Sequence, residues 1–247
     1  MRCKPVSFWM TFRKAVKTIL YKPAVWSKRI KNLTRSHTRR RKISRNDLRS
    51  LVKKFASKDG ALVVYIEVPF EDYLPNYDRL PVFQTNCERY YPLLQKIGDE
   101  SYSSIVAMGI VEHLKDPVQL FNECFRILKP GGKMYVSASS VFSVHRGPDD
   151  YFHTTQFGMK EWLSRQNWSH TDIKGSCPPF KTIGILLQRI LLQCETSYFI
   201  RPFVYFLVKV LPLLDRFIIH QYADRSFSEE QKIDSMMPSN IQVVATK

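Results

Sequence analysis

The chain has 247 residues, of which 44% are apolar and 13% aromatic, enough for a sizeable core in one large domain or a domain with appendages. With 24% charged residues and no uncharged apolar run near the roughly 18 positions a bilayer crossing requires, a disordered chain and a multi-span membrane protein are both excluded. The net charge of +16 is unevenly placed: residues 1–58 hold 19 of the 38 Lys and Arg side chains and a single acid, Asp47, which gives this extension +18 and the other 189 residues −2.

The extension opens with Phe8, Phe12, Ala15, Val16 and Ile19 at helical spacing and Arg13, Lys14 and Lys17 opposite, which predicts a basic amphipathic helix over Phe8–Leu20 stopped near Pro23. A second basic stretch, Arg35–Arg45, contains Arg39-Arg40-Arg41-Lys42 and has little apolar surface to pack. Asn46-Asp47 then caps a short helix carrying Leu48, Leu51, Val52 and Phe55. A basic face opposite an aromatic one suits an anionic membrane surface, engaged through residues 8–45, better than a nucleic-acid duplex. It also has the character of a mitochondrial transit peptide.

From Ala61 the pattern changes. Ala61–Ile66 is a continuous apolar run of strand length, as is Ser104–Met108, and Lys133–Ser137 is a third strand. Asp116-Pro117 opens a helix as cap and first-turn proline, Val118, Phe121, Cys124 and Leu128 form its buried stripe, and Pro130-Gly131-Gly132 is the turn that ends it. Strand, helix and strand within this distance form a βαβ unit, and several such units form a doubly wound α/β sheet. A helix over 156–165, a strand near His170–Lys174, amphipathic helices over 183–219 kinked at Pro212, and a last strand at Asn240–Ala245 complete the reading. The organisation expected is an extension over 1–58 and a domain over 59–247 with an apolar helical insertion at about 178–225.

Five scattered cysteines without C-x-x-C spacing read as reduced thiols, which implies a cytoplasmic type of compartment with peripheral attachment to a membrane, or a mitochondrion. The six histidines form no H-x-x-x-H or H-E-x-x-H pair, so no metal site is expected.

Ser101–Pro117, which contains Glu112-His113-Leu114-Lys115-Asp116-Pro117, followed by Arg126-Ile-Leu-Lys-Pro-Gly-Gly132, resembles the class I S-adenosylmethionine-dependent methyltransferases of the type 11 subgroup. Asp149-Asp150-Tyr151-Phe152-His153 resembles a further segment of such enzymes, with His153 where Arg is usual. The resemblance covers roughly Leu48–Lys174 and the closing strand. It implies a Rossmann-like, mainly parallel seven-stranded sheet with an antiparallel last strand, S-adenosyl-L-methionine as cofactor, and methyl transfer to a small-molecule, saccharide or lipid-linked acceptor. Cofactor contacts then fall to Ile66, Glu67, Gly109 and Glu112, acceptor contacts to Tyr151 and His153, and proton removal to His113, His145 or Asp150, among which spacing does not choose.

The sequence also departs from that family. The Gly-x-Gly loop expected after the first strand is missing from Glu67–Tyr77, no acid follows the second strand near Val82–Asn86, and Ser103 stands where the pattern has Asp. Only glycine lets backbone N–H groups approach a cofactor carboxylate closely, so weak cofactor binding is expected, and with it the alternative of a methyltransferase-like scaffold that has lost the reaction. A nucleic-acid methyltransferase using the basic arm is a second alternative.

Overall fold

The structure is a computed structural model that describes Val52, Ala56 and residues 60–66, 77–83, 85–219 and 234–247. Among these are six strands, β1 (Ala61–Ile66), β2 (Asp78–Arg79), β3 (Tyr102–Met108), β4 (Leu128–Ser139), β5 (His170–Gly175) and β6 (Asn240–Thr246). The α-helices are α1 (Tyr90–Gln95), α2 (Pro117–Ile127), α3 (Gln156–Leu163), α4 (Pro179–Gln193) and α5 (Ile200–Leu214). The expected basic helix over Phe8–Leu20, the Arg35–Arg45 stretch, the cap at Asn46-Asp47 and Glu67 with the loop after it lie outside the described residues. The chain divides into two compact units: Arg45–Thr182 with Asp215–Lys247 forms the sheet unit, and Ile183–Leu214 belongs to the other.

The six strands form one sheet in the order β2-β1-β3-β4-β6-β5. β1, β2, β3 and β4 pair in parallel, and β6 runs antiparallel between β4 and β5. The expectation of a mainly parallel, doubly wound sheet with an antiparallel last strand is met, with one correction: the described sheet has six strands, where seven are expected. The physical reason is in the sequence between Leu80 and Ser101, which has no apolar run of strand length and instead forms a 3-10 turn at Cys87–Arg89 and α1 before entering β3. The second strand also falls earlier than Val82–Asn86, at Asp78–Arg79.

Side-chain alternation sends the central strands into two cores. Leu62, Val64, Ile105, Ala107, Met134, Val136, Ile241 and Val243 face one core, which includes Tyr90 and Leu94 of α1 and Leu120, Phe121, Cys124 and Ile127 of α2. Ala61, Val63, Val106, Met108 and Tyr135 face the other, together with Val52, Ala56 and Tyr77. A parallel strand covered on both faces has no wet side, which is why these segments read as unbroken apolar runs.

Local chemistry sets the ends of the elements. The Asp116 carboxylate accepts from the N–H groups of Val118 (3.1 Å) and Gln119 (3.3 Å), and Pro117 occupies the first turn, where its missing N–H costs nothing. The buried stripe of α2 is Leu120, Phe121, Cys124 and Ile127; Val118 is half-buried and Leu128 already begins β4. Gly131 and Gly132 lie inside the irregular start of β4 and not in a turn before it, because Gly131 N–H donates to the Lys247 carbonyl and Lys247 N–H to that of Gly132. In the second unit, Arg201 of α5 donates to the Leu191 carbonyl in the last turn of α4 (3.1 Å), satisfying one of the acceptors a helix end leaves open.

A Cβ at Gly132 would lie 2.8 Å from the Lys129 carbonyl oxygen and 3.2 Å from that of Ser103, both backbone atoms that cannot yield. Gly132→Ala should therefore lower the unfolding free energy by about 1–3 kcal/mol, read as a lower urea midpoint at unchanged slope. An unchanged midpoint would contradict the packing described.

Candidate functional site

β1 and β3 are neighbours, but the chain leaves β1 for β2 on one side and returns to β3 on the other, so the strand order reverses between them. Ligands of open α/β sheets bind beyond the carboxyl ends of strands at such a point. Two loops meet there. Beyond β3, Gly109 takes φ +75°, a conformation that favours glycine, and its N–H donates to the Ser137 carbonyl of β4 (2.9 Å). The chain then enters a 3-10 turn, Val111–His113, in which all three residues are buried. Beyond β4, residues 140–155 form the second loop.

Glu112 joins the two. Its Oε1 accepts from the Ser139 hydroxyl at the end of β4 (2.7 Å), while its backbone carbonyl accepts from the N–H groups of Tyr151 (2.8 Å) and Phe152 (3.3 Å). His113 is 1% exposed, and its Nδ1 lies 2.5 Å from the Asp149 carbonyl oxygen. A carbonyl only accepts, so in the neutral ring Nδ1 carries the hydrogen and the basic lone pair is on Nε2. The Asp149 carboxylate accepts from the Asn86 N–H (2.5 Å) and the Tyr151 hydroxyl (3.2 Å), which anchors the loop to the start of the 3-10 turn before α1.

Asp150 lies between two imidazoles. Its Oδ2 accepts the His145 N–H (2.8 Å) and lies 3.4 Å from His145 Nδ1, and its Oδ1 lies 3.4 Å from His153 Nε2. The His145 ring stands edge-on to His113 at 4.9 Å and to Phe142 at 5.3 Å. Tyr151, Phe152 and His153 form an exposed aromatic rim.

The structure thus gathers Gly109, Glu112, His113, His145, Asp150, Tyr151 and His153 from two segments some thirty residues apart. Ile66 ends β1 in register with Met108, beside the same strand end, and Glu67 lies outside the described residues. Sequence reading missed Arg146, which takes φ +54° and reaches across to the Tyr65 hydroxyl (3.0 Å) and the Phe83 carbonyl (2.8 Å). It missed Ser139, and it missed the part of Asp149 in fixing His113. No spacing signal marks these three, because their partners are brought by the fold. A cavity of 330 Å³ lined by Ser103, Ser104 and residues 129–133 lies at the amino ends of β3 and β4, the opposite edge of the sheet.

Residues 49–136 match the family model described as a methyltransferase domain. The similarity to a methyltransferase domain is thus confined to this segment. The chain's similarity to curated relatives includes a protein of Mycolicibacterium smegmatis named as a probable S-adenosylmethionine-dependent methyltransferase, 36% identical over 92 residues, which are 36% of this chain and 36% of that one. It also includes a ubiquinone biosynthesis O-methyltransferase of Xanthomonas oryzae pv. oryzae, 40% identical over 37 residues, 15% of this chain and 16% of that one. The chain therefore matches well under two thirds of the length of these relatives. Among solved structures, it is similar to a SAM-dependent methyltransferase from Archaeoglobus fulgidus at 11% identity and a TM-score of 0.44, over 88% of this chain and 94% of that one. At these values the fold assignment rests on strand order and register. The matched segment contains β1, β3, the Glu112 turn, α2 and most of β4, whereas the 145–153 loop follows it.

Desolvation by burial drives the His113 imidazole down from 6.5 to about 4; the Asp149 carbonyl opposes this, and the nearby Arg146 and His145 reinforce it. The ring is neutral at neutral pH. The unfolded chain takes up its proton near pH 6.5 and the folded chain near pH 4, so the stabilisation is complete above about pH 6.5 and is lost as pH falls towards 4. The loss should be on the order of 3 kcal/mol, and His113→Gln should flatten that part of the profile. Urea unfolding in chelator-containing buffer from about pH 7 to about pH 4.5 measures it; equal slopes for both proteins would contradict the burial argument.

Proposed function

We propose that this chain transfers a methyl group from S-adenosylmethionine to a small-molecule, saccharide or lipid-linked acceptor. The observation that carries the reading is the Glu112 junction at the strand-order reversal, where a buried carboxylate and a neutral imidazole inside the segment similar to a methyltransferase domain meet an aromatic rim from the loop that follows it. The residues present suit the cofactor's chemistry. Its ammonium and ribose hydroxyls call for an acceptor such as Glu112, and its carboxylate for a cation such as Arg146, both at the carboxyl ends of β1 and β3. Ile66, Glu67, Gly109 and Glu112 would hold it.

When bound, S-adenosylmethionine supplies a methyl group on a sulfonium, ready for in-line attack by an oxygen or nitrogen. The protein's task is then to position the acceptor and take its proton. Both candidate histidines have Nδ1 at a main-chain carbonyl and Nε2 left as the basic atom, but His113 is the more deeply buried and lies inside the matched segment, so we assign it the proton. With the cofactor bound, His113 Nε2 would take the proton that the acceptor loses on methylation. Tyr151 and His153 on the rim contact the acceptor.

A lipid-linked acceptor, or work close to an anionic membrane, is supported by the basic extension and by α5. Ile200, Phe203 and Phe206 of this helix, and Phe199 just before it, are each more than half exposed, which is the apolar face of an interfacial helix. No helix among the described residues is long and apolar enough to cross a membrane.

Two experiments test these readings. Calorimetric titration with S-adenosylmethionine should give saturable binding in the millimolar range or tighter, and Glu112→Gln should weaken it by about tenfold or more, as expected for a lost charge-assisted hydrogen bond. Absence of binding at several millimolar would place the scaffold alternative ahead. Vesicles with anionic headgroups should retain the chain at low salt, and Phe203→Glu with Phe206→Glu should release it; equal retention by neutral vesicles would contradict the membrane reading.

A further inference from the structure

The loop beyond β4 holds a group of side chains to which the proposed proton transfer at His113 assigns no step. One ligand atom from each of His145, Asp150 and His153 lies within 4.8 Å of the others. His145 Nδ1 and His153 Nε2 stand 3.4 Å from different oxygens of the same Asp150 carboxylate. In a tetrahedral site with bonds of about 2.0–2.1 Å, neighbouring ligand atoms are about 3.3–3.4 Å apart. Each histidine nitrogen stands at such a distance from its own Asp150 oxygen, and the three donor atoms lie within 4.8 Å of one another, a set that small side-chain rotations bring around one ion.

A second observation points to a ligand. The Asp150 side chain is 2% exposed, yet its Oδ1 accepts no hydrogen bond, and the nearest group of opposite character is His153 Nε2. A buried carboxylate oxygen left in this state is costly unless a cation completes it. His153 is 26% exposed through its side chain, which gives an ion a way in from the surface.

We propose that His145, Asp150 and His153 bind one divalent transition-metal ion of the zinc type. Two imidazoles and a carboxylate are the donor set that such ions prefer, and three protein ligands leave a fourth position for water or an oxygen of a bound molecule. Glu112 and His113 lie within the same distance of His145, but Glu112 already accepts from Ser139 and His113 is tied to the Asp149 carbonyl. Ser143 contributes its carbonyl 3.1 Å from His145 Nδ1, where it receives the ring hydrogen when no ion is bound. Binding therefore moves that hydrogen to Nε2. The separation of the two histidines, eight residues apart within a loop, explains why no helical metal motif is visible in the sequence.

This site does not depend on methyl transfer, and its test is separate. The full chain, stripped with a chelator, is titrated with Co²⁺ alone and then competed with Zn²⁺. The expected result is one equivalent bound with the visible absorption of tetrahedral cobalt, and displacement by zinc. His153→Ala should weaken binding by about tenfold or more, whereas His170→Ala, on the exposed start of β5, should not change it. Ring ¹⁵N shifts of the unsubstituted chain should show zinc on two histidines, which tests the ligand set even where a variant fails to fold. Absence of tetrahedral absorption, or equal affinity in the His153 and His170 variants, would overturn the proposal. Cofactor titration of the ion-free chain is read independently, so either result can fail without the other.

Discussion

Burying the Glu112 side chain is the constraint on which the rest of the site depends. A carboxylate placed 2% exposed at the end of a strand must be met by donors, and Ser139 supplies one from the neighbouring strand. The same residue's carbonyl receives the Tyr151 and Phe152 N–H groups, so one position on the β3 loop fixes both the end of β4 and the loop that follows it. His113 and Asp149 repeat the arrangement one residue further along. The consequence is rigidity at the strand-order reversal: the two loops cannot shift independently without stranding a buried polar group.

The fold around this junction was largely legible in the sequence, and for physical reasons. Ala61–Ile66 and Ser104–Met108 read as buried parallel strands because both of their faces meet a core. Asp116-Pro117 marked the start of α2 because capping is local chemistry, decided within four residues. The second strand was not legible. Only two of its residues pair, and a two-residue bridge leaves no periodicity to detect. The glycine pair at 131–132 was read as a turn because Pro-Gly-Gly ordinarily makes one; pairing with the chain's last residue draws it into β4 instead.

The same division holds at the site. Glu112, His113, His145 and Asp150 stood out because polar and titratable groups follow strands there, in positions where α/β sheets bind ligands. That they converge is a property of the topology. Arg146 gave no signal, since its partners Tyr65 and Phe83 lie more than sixty residues away and are met only once β1 and the segment after β2 are placed beside the 145–153 loop. The charge asymmetry of the chain was legible as arithmetic, and its meaning rests with the extension. The sheet unit is nearly neutral, so its site must work through buried local groups and not through a long-range field.

The central claim is that the two loops form a single cofactor and acceptor site at the reversal of strand order. A crystal structure of the full chain with S-adenosylhomocysteine, the demethylated product, tests it most directly. The account predicts the ligand at the carboxyl ends of β1 and β3, against Gly109 and Glu112, with the Ser139–Glu112 hydrogen bond intact and His113 facing the sulfur side. Density for the ligand elsewhere on the sheet, or a saturating soak that leaves this edge without ligand, would contradict it.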